Sequence, residues 1–354
     1  MRAQHNFPTI SLSGLSFCVA IRLERMGIGV IIGAGVFVLT GIAAATKAGP
    51  AIVLSYMFAC FAAMMAALAY AELIACVGGT GSAYSYAYTG FGELIAWIIG
   101  WTLLLEYTMS VGTVAIGWSG YVYNFLESIN VHLPLALVNN PFQGGVINLL
   151  AALIILTLTG LLCFGVRQSV RLNYAVVFIK LVTVAIFIGV ASFHVNPANW
   201  QNFMPYGWNG VFNGAAFVFF AYIGFDALST ATEEAINPQR TIPIGIISSL
   251  VFCTLIYIVV SMLLTGIVPY TALNVESPVA DSLLIIGHRF AAGLIAAGAI
   301  AGLTTVMLVM FYGLTRICLA MLAFCWKVFS LESKCVSKPV IIFPYPPCSL
   351  CFIK

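Results

Sequence analysis

Eight long apolar stretches dominate this chain and limit the folds open to it. A helix needs roughly 20 apolar residues to cross a hydrocarbon core about 30 Å thick. Apolar residues make up 62% of the 354 residues and charged residues 7%, against about 25% charge in an ordinary soluble domain. We therefore predict an all-α polytopic membrane protein in a lipid bilayer, with spans at about 22–45, 50–77, 92–126, 145–165, 172–194, 210–233, 243–268 and 288–323.

Lys and Arg are distributed unevenly between the loops. With the N-terminus inside, the outer segments hold only Lys47 and Arg289, while Lys180 lies within the fifth span and Arg316 near the inner end of the eighth. An excess of basic residues marks the cytoplasmic side, so we predict that both termini are cytoplasmic. The ten residues on that side are Arg2, Arg22, Arg25, Arg167, Arg171, Arg240, Lys327, Lys334, Lys338 and Lys354.

The two ends of the chain differ from the predicted transmembrane domain at 22–323. Residues 1–21 lack a cleavage site and a separate apolar core, which predicts a cytoplasmic segment rather than a signal peptide. Residues 324–354 mix lysines with several prolines and predict a divergent cytoplasmic tail. Cys348 and Cys351 form a CxxC pair there, but without a second pair or a nearby histidine it does not indicate a metal site.

Enzyme motifs are missing from the sequence. It contains no P-loop and no HExxH, and the four histidines are scattered along it. We predict no catalytic residues, no cofactor and no metal, and the net charge of +3 gives no reason to expect nucleic acid.

Two spans contain interruptions that lipid-exposed helices avoid. The first span reads Ile-Ile-Gly-Ala-Gly over 31–35, and the sixth reads Phe-Ala-Tyr-Ile-Gly over 220–224. Broken helices survive where they line a protein cavity, and corresponding interruptions in two halves of a chain indicate a transporter site. Close glycine packing between helices is the alternative, since Gly29 and Gly33 have the spacing of a small-xxx-small contact; the second interruption favours transport.

Such breaks offer complementary chemistry to a ligand. Free amides around Gly33, Ala34 and Gly35 would present the positive end of a helix dipole to an anion. Free carbonyls of Ile31 in the first span, and of Phe220, Ala221 and Ile223 in the sixth, could receive an ammonium group. Donors on one side and acceptors on the other match the α-carboxylate and α-amine of a free amino acid.

Three ionisable residues within the spans require partners, because a charge in the bilayer costs on the order of 3 kcal/mol. Lys180 lies mid-span, and desolvation makes it either a candidate proton carrier or a structural cation held by carbonyls. Glu106 either lines a cavity or anchors a helix contact. Asp226 follows the second interruption and is predicted to stabilise the unwound backbone rather than contact the ligand.

The sequence resembles the amino acid permeases of the APC superfamily, and among them the cationic amino acid transporter family. The resemblance covers about 26–321 and rests on three parts: the glycine-rich stretch 27–49, the motifs at 70–73 and 81–86, and the stretch 220–246 with its Asn-Pro-Gln-Arg loop. It implies a fold of five plus five inverted-repeat helices with helices one and six broken, alternating access, and an amino acid held at the breaks.

The resemblance also implies roles for particular residues. Lys180 matches a lysine that occupies the ion position of sodium-coupled relatives, so proton coupling or exchange is expected rather than sodium symport at Thr304 and Thr305. Met310 matches a pocket position where a bulky thioether suggests small neutral substrates, although cationic ones remain open.

Compact loops favour a bacterial inner membrane. The helices expected beyond the eighth span are missing, so a truncated, non-transporting remnant or binding subunit is the alternative.

Overall fold

A computed structural model of the chain describes residues 29, 31–76, 82–128, 131, 134, 138, 145, 147–163, 170–224 and 238–331. Every regular element in these ranges is helical, which confirms the all-α prediction. The helices are α1, in the consecutive parts Gly35–Leu39, Thr40–Ala43 and Ala44–Ala48; α2, Ile52–Cys76; α3, Ser82–Phe91; α4, Glu93–Ser128; α5, Leu149–Cys163; α6, Val170–Ser192; α7, Gly207–Val218; α8, Pro238–Ile267; α9, Pro278–Ile285; and α10, Arg289–Leu331.

Five segments of the described chain are long and apolar enough to cross a membrane, and α5 is a shorter apolar helix. The predicted third and eighth spans correspond to α4 and α10, which have 36 and 43 residues. The sixth span is not among the five because α7 ends after 12 residues, at its interruption. The long segments are Gly35–Ile74, Glu93–Glu127, Ala175–Ser192, Ile244–Ile267 and Arg289–Leu322. A polytopic membrane protein follows, while the count of eight spans and the inverted repeat stay predictions.

The first of these segments is a hairpin and not one helix. A continuous helix would separate Thr40 from Tyr56 by about 24 Å along its axis. Instead, the Thr40 Oγ1 and the Tyr56 hydroxyl lie 2.8 Å apart. The chain reverses at Gly49, whose φ of 65° is readily available only to glycine, and the 3-10 turn Gly49–Ala51 leads into α2.

The long helices form two groups. In one group α10 packs along α4 and α6, and in the other α2 packs along α8 and α7. Small residues allow the closest approach: a Cβ on Gly313 of α10 would lie 2.7 Å from the Tyr107 ring of α4. The groups also touch where α6 meets α8.

The start of α1 lies between the two groups. Tyr257 of α8 donates to the Ile31 carbonyl at 2.6 Å, and Tyr121 of α4 donates to the Phe37 carbonyl at 2.6 Å. Both groups therefore hold the backbone at the beginning of α1, and this backbone is buried. The predicted terminal segment 1–21, and the tail beyond residue 331, lie outside the described residues.

Candidate functional site

The first break lies immediately before α1. Ile32 and Gly33 form a bend between the helical residues Ile31 and Ala34. The N–H groups in the first turn of a helix have no acceptor within that helix, so this end of α1 offers donors and a positive dipole end. Gly33 also packs against α10, because a Cβ there would lie 2.6 Å from the Val306 Cγ2. The glycine at the break thus serves a close helix contact as well.

The second break follows α7. The chain tightens into a 3-10 turn, Phe219–Tyr222, and then leaves helical geometry at Ile223, where ψ is 134°. Gly224 has a φ of 108°, in the region that favours glycine. The sequence motif therefore marks a real interruption of the backbone. Asp226, predicted to stabilise this segment, lies outside the described residues.

A small cavity lies between the two breaks. It brings together seven of the eight predicted binding residues, Gly33 being the exception. Three further residues of α4 and α10 complete it, and none of the ten carries a charged side chain. The lining consists of Ile31, Ala34, Gly35, Ser110, Val114, Phe220, Ala221, Ile223, Val306 and Met310.

Tyr257 joins the carbonyls of the two breaks. Its hydroxyl lies 2.6 Å from the Ile31 oxygen and 3.2 Å from the Ala221 oxygen. The Phe220 carbonyl accepts from the Ile223 N–H at 3.2 Å. A carbonyl has two lone pairs, so each of these oxygens can still receive a further donor. The sequence reasoning missed Tyr257, a polar-tipped aromatic residue on the buried side of α8.

Other hydroxyl groups donate to backbone carbonyls next to the cavity. The Gly35 carbonyl accepts from Thr40 Oγ1 at 2.9 Å and from the Tyr56 hydroxyl at 3.1 Å. The Tyr222 hydroxyl lies 2.9 Å from Thr254 Oγ1 and donates to the Tyr56 carbonyl. The Gly35 carbonyl also accepts from the Thr40 N–H, so these hydroxyls add to its hydrogen bonding and tie both breaks to α2.

Lys180 contacts the first broken segment directly. Its Nζ donates to the Gly29 carbonyl at 2.6 Å, and its side chain is buried. Its stem packs on α10, where a Cβ on Gly302 would lie 3.0 Å from Lys180 Cε. The mid-span lysine therefore has a carbonyl partner, two residues before Ile31. This geometry fits both predicted roles, the proton carrier and the structural cation.

Thr304 and Thr305 have partners within the protein. Thr304 Oγ1 donates to the Ile300 carbonyl at 2.7 Å and accepts from the Trp118 indole N–H at 2.9 Å. Thr305 Oγ1 donates to the Gly302 carbonyl at 2.8 Å. Across the described residues, no three His, Cys, Asp or Glu side chains form a cluster that could hold a metal ion.

Glu106 does not lie in the cavity wall. Its side chain is on the exposed side of α4, and Ser110, one turn later, faces the cavity instead. Ser110 Oγ donates to the Glu106 carbonyl at 2.7 Å. Of the two roles the sequence left open for Glu106, this placement does not support the one in the cavity; the helix contact stays a prediction.

The fold and the cavity define a class of membrane protein: a polytopic helical bundle with a small site between two broken helices. A family model described as amino acid permease matches residues 21–322. The chain belongs to the amino acid permease family, as the sequence motifs indicate.

Individual relatives support this membership. The chain is 48% identical over 304 residues to a methylthioribose transporter and 48% identical over 309 residues to the branched-chain amino acid permease BcaP, both of Bacillus subtilis. It is 39% identical over 313 residues to human cationic amino acid transporter 4. Each match covers 85% of this chain, but only 66% of each Bacillus protein and 48% of the human one. The chain thus spans about two thirds or less of these relatives.

Proposed function

We propose that the chain forms the substrate site of an amino acid transporter in the cell membrane and works by alternating access. The observation that carries this proposal is the cavity lined from both breaks. Family membership supports it, since the named relatives are transporters or permeases. We further propose that both termini face the cytoplasm, on the distribution of Lys and Arg.

The substrate would bind with its two charged groups on opposite sides of the cavity. The α-carboxylate would accept from first-turn amides at Gly33, Ala34 and Gly35, where the helix dipole favours an anion. The α-amine would donate to the carbonyls of Ile31, Phe220, Ala221 and Ile223 in the cavity wall. Tyr257 already donates to the Ile31 oxygen and lies 3.2 Å from the Ala221 oxygen, so the amine would share these two acceptors with one hydroxyl hydrogen.

The side-chain part of the cavity favours a small neutral amino acid. Its walls are formed by Val114, Val306 and Met310, and none of the lining side chains is charged. A cationic side chain buried there would lack a counter-ion, which is costly. BcaP is named for branched-chain amino acids and another relative for methylthioribose, so both kinds of compound belong in a competition assay.

Lys180 would couple transport to protons. Its ammonium group donates to the Gly29 carbonyl just before the first break, so loss of its proton would weaken its hold on the segment that forms the site. Sodium coupling is disfavoured because the Lys180 side chain packs on Gly302 of the same helix, two to three residues from Thr304 and Thr305, and would compete with Na⁺ for volume and charge there.

Binding and flux are measured separately to test the proposal. Equilibrium binding of labelled alanine to the purified chain tests the site, with leucine, arginine and methylthioribose as competitors. Uptake into proteoliposomes under a pH gradient, with sodium exchanged for potassium, tests transport. Lys180→Ala is compared with Lys47→Ala, since Lys47 is exposed.

The results separate the alternatives. Alanine binding with proton-dependent, sodium-independent uptake that is lost only in Lys180→Ala supports the whole proposal. Uptake that responds to neither pH nor Lys180→Ala overturns the coupling role. Binding without uptake by folded protein identifies a binding subunit or remnant, and no amino acid binding at all overturns the site.

A further inference from the structure

Two histidines meet at one end of the bundle, away from the cavity. His194 follows α6 and His288 precedes α10. Their Nε2 atoms lie 3.1 Å apart, and their ring centroids 4.7 Å apart with the planes at 77°. They are 94 residues apart in the chain, so the fold, and not the local sequence, brings them together. Neither lines the cavity.

The His194 ring is held in the tautomer that a metal ligand needs. Its Nδ1 lies 3.0 Å from the Val190 carbonyl oxygen. A carbonyl only accepts, so Nδ1 carries the proton and Nε2 has a free lone pair directed at His288. Histidines that bind metals are commonly held in this way, with the other ring nitrogen donating to a carbonyl or carboxylate.

We propose that His194 and His288 form a binding site for a divalent transition-metal ion such as Zn²⁺, completed by water. With Zn–N bonds near 2.05 Å, two adjacent ligand nitrogens lie about 2.9 Å apart at 90° and about 3.3 Å apart at the tetrahedral angle. The observed 3.1 Å falls between these values. Both side chains are exposed, so the rings can turn to aim both lone pairs at one ion.

Metal binding requires a proton shift on one ring. With the His194 proton assigned to Nδ1 by the Val190 contact, the 3.1 Å contact without metal needs a proton on His288 Nε2; with metal, His288 would carry its proton on Nδ1. Arg289 is adjacent and cationic, which opposes the ion, but it is exposed and therefore screened by solvent and salt.

Such an ion would link two helices that reach the centre of the molecule. It would join the end of α6, which carries Lys180, to the start of α10, which carries Val306 and Met310. A bound ion would restrain movement between these helices. The metal site itself does not depend on the proposed transport function.

Zn²⁺ titration of the full chain tests the site. The protein is purified without a polyhistidine tag and its cysteines are alkylated, so that thiols do not bind the ion. Calorimetry then compares the intact chain with His194→Gln, His288→Gln and, as a control, His132→Gln. Thermal unfolding of each metal-free variant shows that it is folded, and a Zn²⁺-dependent rise in Tm gives a second measure of binding.

The expected result is one saturable Zn²⁺ site in the intact chain and in His132→Gln. Removing either paired histidine should weaken Zn²⁺ binding by at least roughly 10- to 100-fold. That is the loss of affinity expected when a group that only hydrogen-bonds to a metal ligand is removed, and a ligand itself should matter at least as much. The proposal is overturned if the His194→Gln/His288→Gln double variant binds Zn²⁺ with the same affinity as the intact chain. It is also overturned if the folded intact chain shows no saturable Zn²⁺ binding.

Discussion

The hydroxyl of Tyr257 lies 2.6 Å from the carbonyl oxygen of Ile31, which is 226 residues earlier in the chain. Its weaker contact, at 3.2 Å, is with the Ala221 oxygen. One side chain of α8 thus holds together the two interrupted helices that form the cavity. Its ring packs against those of Tyr56 and Tyr222, with centroids 5.1 and 5.7 Å away, and this packing fixes the position of the hydroxyl.

Tyr257→Phe should destabilise the chain while leaving its ring packing intact. It removes the donor to the buried Ile31 carbonyl, and a buried polar group left unsatisfied costs about 1–3 kcal/mol. Denaturant unfolding in detergent micelles measures the change. Tyr312→Phe is the control: Tyr312 is 40% exposed, and removal of its hydroxyl should cost less than removal of the Tyr257 hydroxyl, because its contact with Arg316 is exposed and involves no buried acceptor. Equal stabilities for the two variants would show that the Tyr257 hydroxyl does not hold the breaks.

Gly35→Ala should abolish amino acid binding. A Cβ at Gly35 would lie 2.5 Å from the Ala221 Cβ and 2.9 Å from the Tyr257 hydroxyl, so the two breaks would have to move apart. Overpacking of this kind costs about 1–3 kcal/mol. A Cβ at Gly189 meets nothing within 4 Å, so Gly189→Ala should raise stability by up to about 1 kcal/mol. Binding of labelled alanine is measured for both variants, and Gly189→Ala should bind it as the intact chain does. Full alanine binding by Gly35→Ala would show that the two breaks do not need to lie this close together.

Met310→Ser should broaden the substrate range toward larger and cationic amino acids. Met310 lines the cavity and is 2% exposed, so its truncation adds space and a hydroxyl. Contacts of this size change discrimination by about tenfold or more, which competition between arginine and alanine would detect. Met307→Ser is the matched control, since Met307 is equally buried on α10 but outside the cavity. The same change in preference for both variants would assign the effect to general loosening.

Asp281→Asn should remove a pH-dependent loss of stability. Asp281 lies in α9, outside the segments long enough to span a membrane. Burial raises the pKa of its carboxyl above the ordinary 3.8, although Ser277 and Asn124 donate to it and favour the charged form; Glu127 adds to the rise. The folded state therefore holds this proton more tightly than the unfolded state does. Stability should fall as the pH rises from about 3.8 through the raised pKa.

Thermal unfolding of the intact chain and of Asp281→Asn across that pH range tests this sign. The intact chain should lose stability relative to the variant as the pH rises. Burial also raises the pKa of Glu276, and this contribution is common to both proteins and cancels in the difference. A difference that is constant with pH would mean that the carboxyl titrates alike in the folded and unfolded chains.

The interruptions could be predicted from the sequence because glycine and polarity within an apolar span are local signals. The hydrogen bond between Tyr257 and the Ile31 carbonyl could not be predicted, because every residue has a backbone carbonyl and the sequence does not show which one a side chain will contact. Tyr257 did leave a weaker signal: it shares the buried side of α8 with Leu250, Cys253 and Leu264 at helical spacing. A tyrosine in such a buried row usually has a partner for its hydroxyl.

Glu106 shows a second limit of the sequence. A carboxylate deep in an apolar span is expected to face the protein interior, yet the cavity is lined by Ser110 and Val114 of the same helix. Because α4 is apolar on all sides, its pattern does not reveal which face turns inward. The rotation of such a helix is set by neighbours that are distant in sequence, such as Tyr107 against Gly313.

The Gly35 carbonyl has two hydroxyl donors, Thr40 and Tyr56, which also lie within hydrogen-bond distance of each other. A hydroxyl hydrogen rotates freely, so either group can serve the carbonyl while the other serves its neighbour. The two hydroxyls are therefore redundant. Loss of both should cost much more free energy of unfolding than the sum of the two single losses, a non-additivity that coupled groups commonly show. Such redundancy lets the backbone at the break shift slightly while the Gly35 carbonyl keeps a donor, and the proposed alternating-access cycle would require this tolerance.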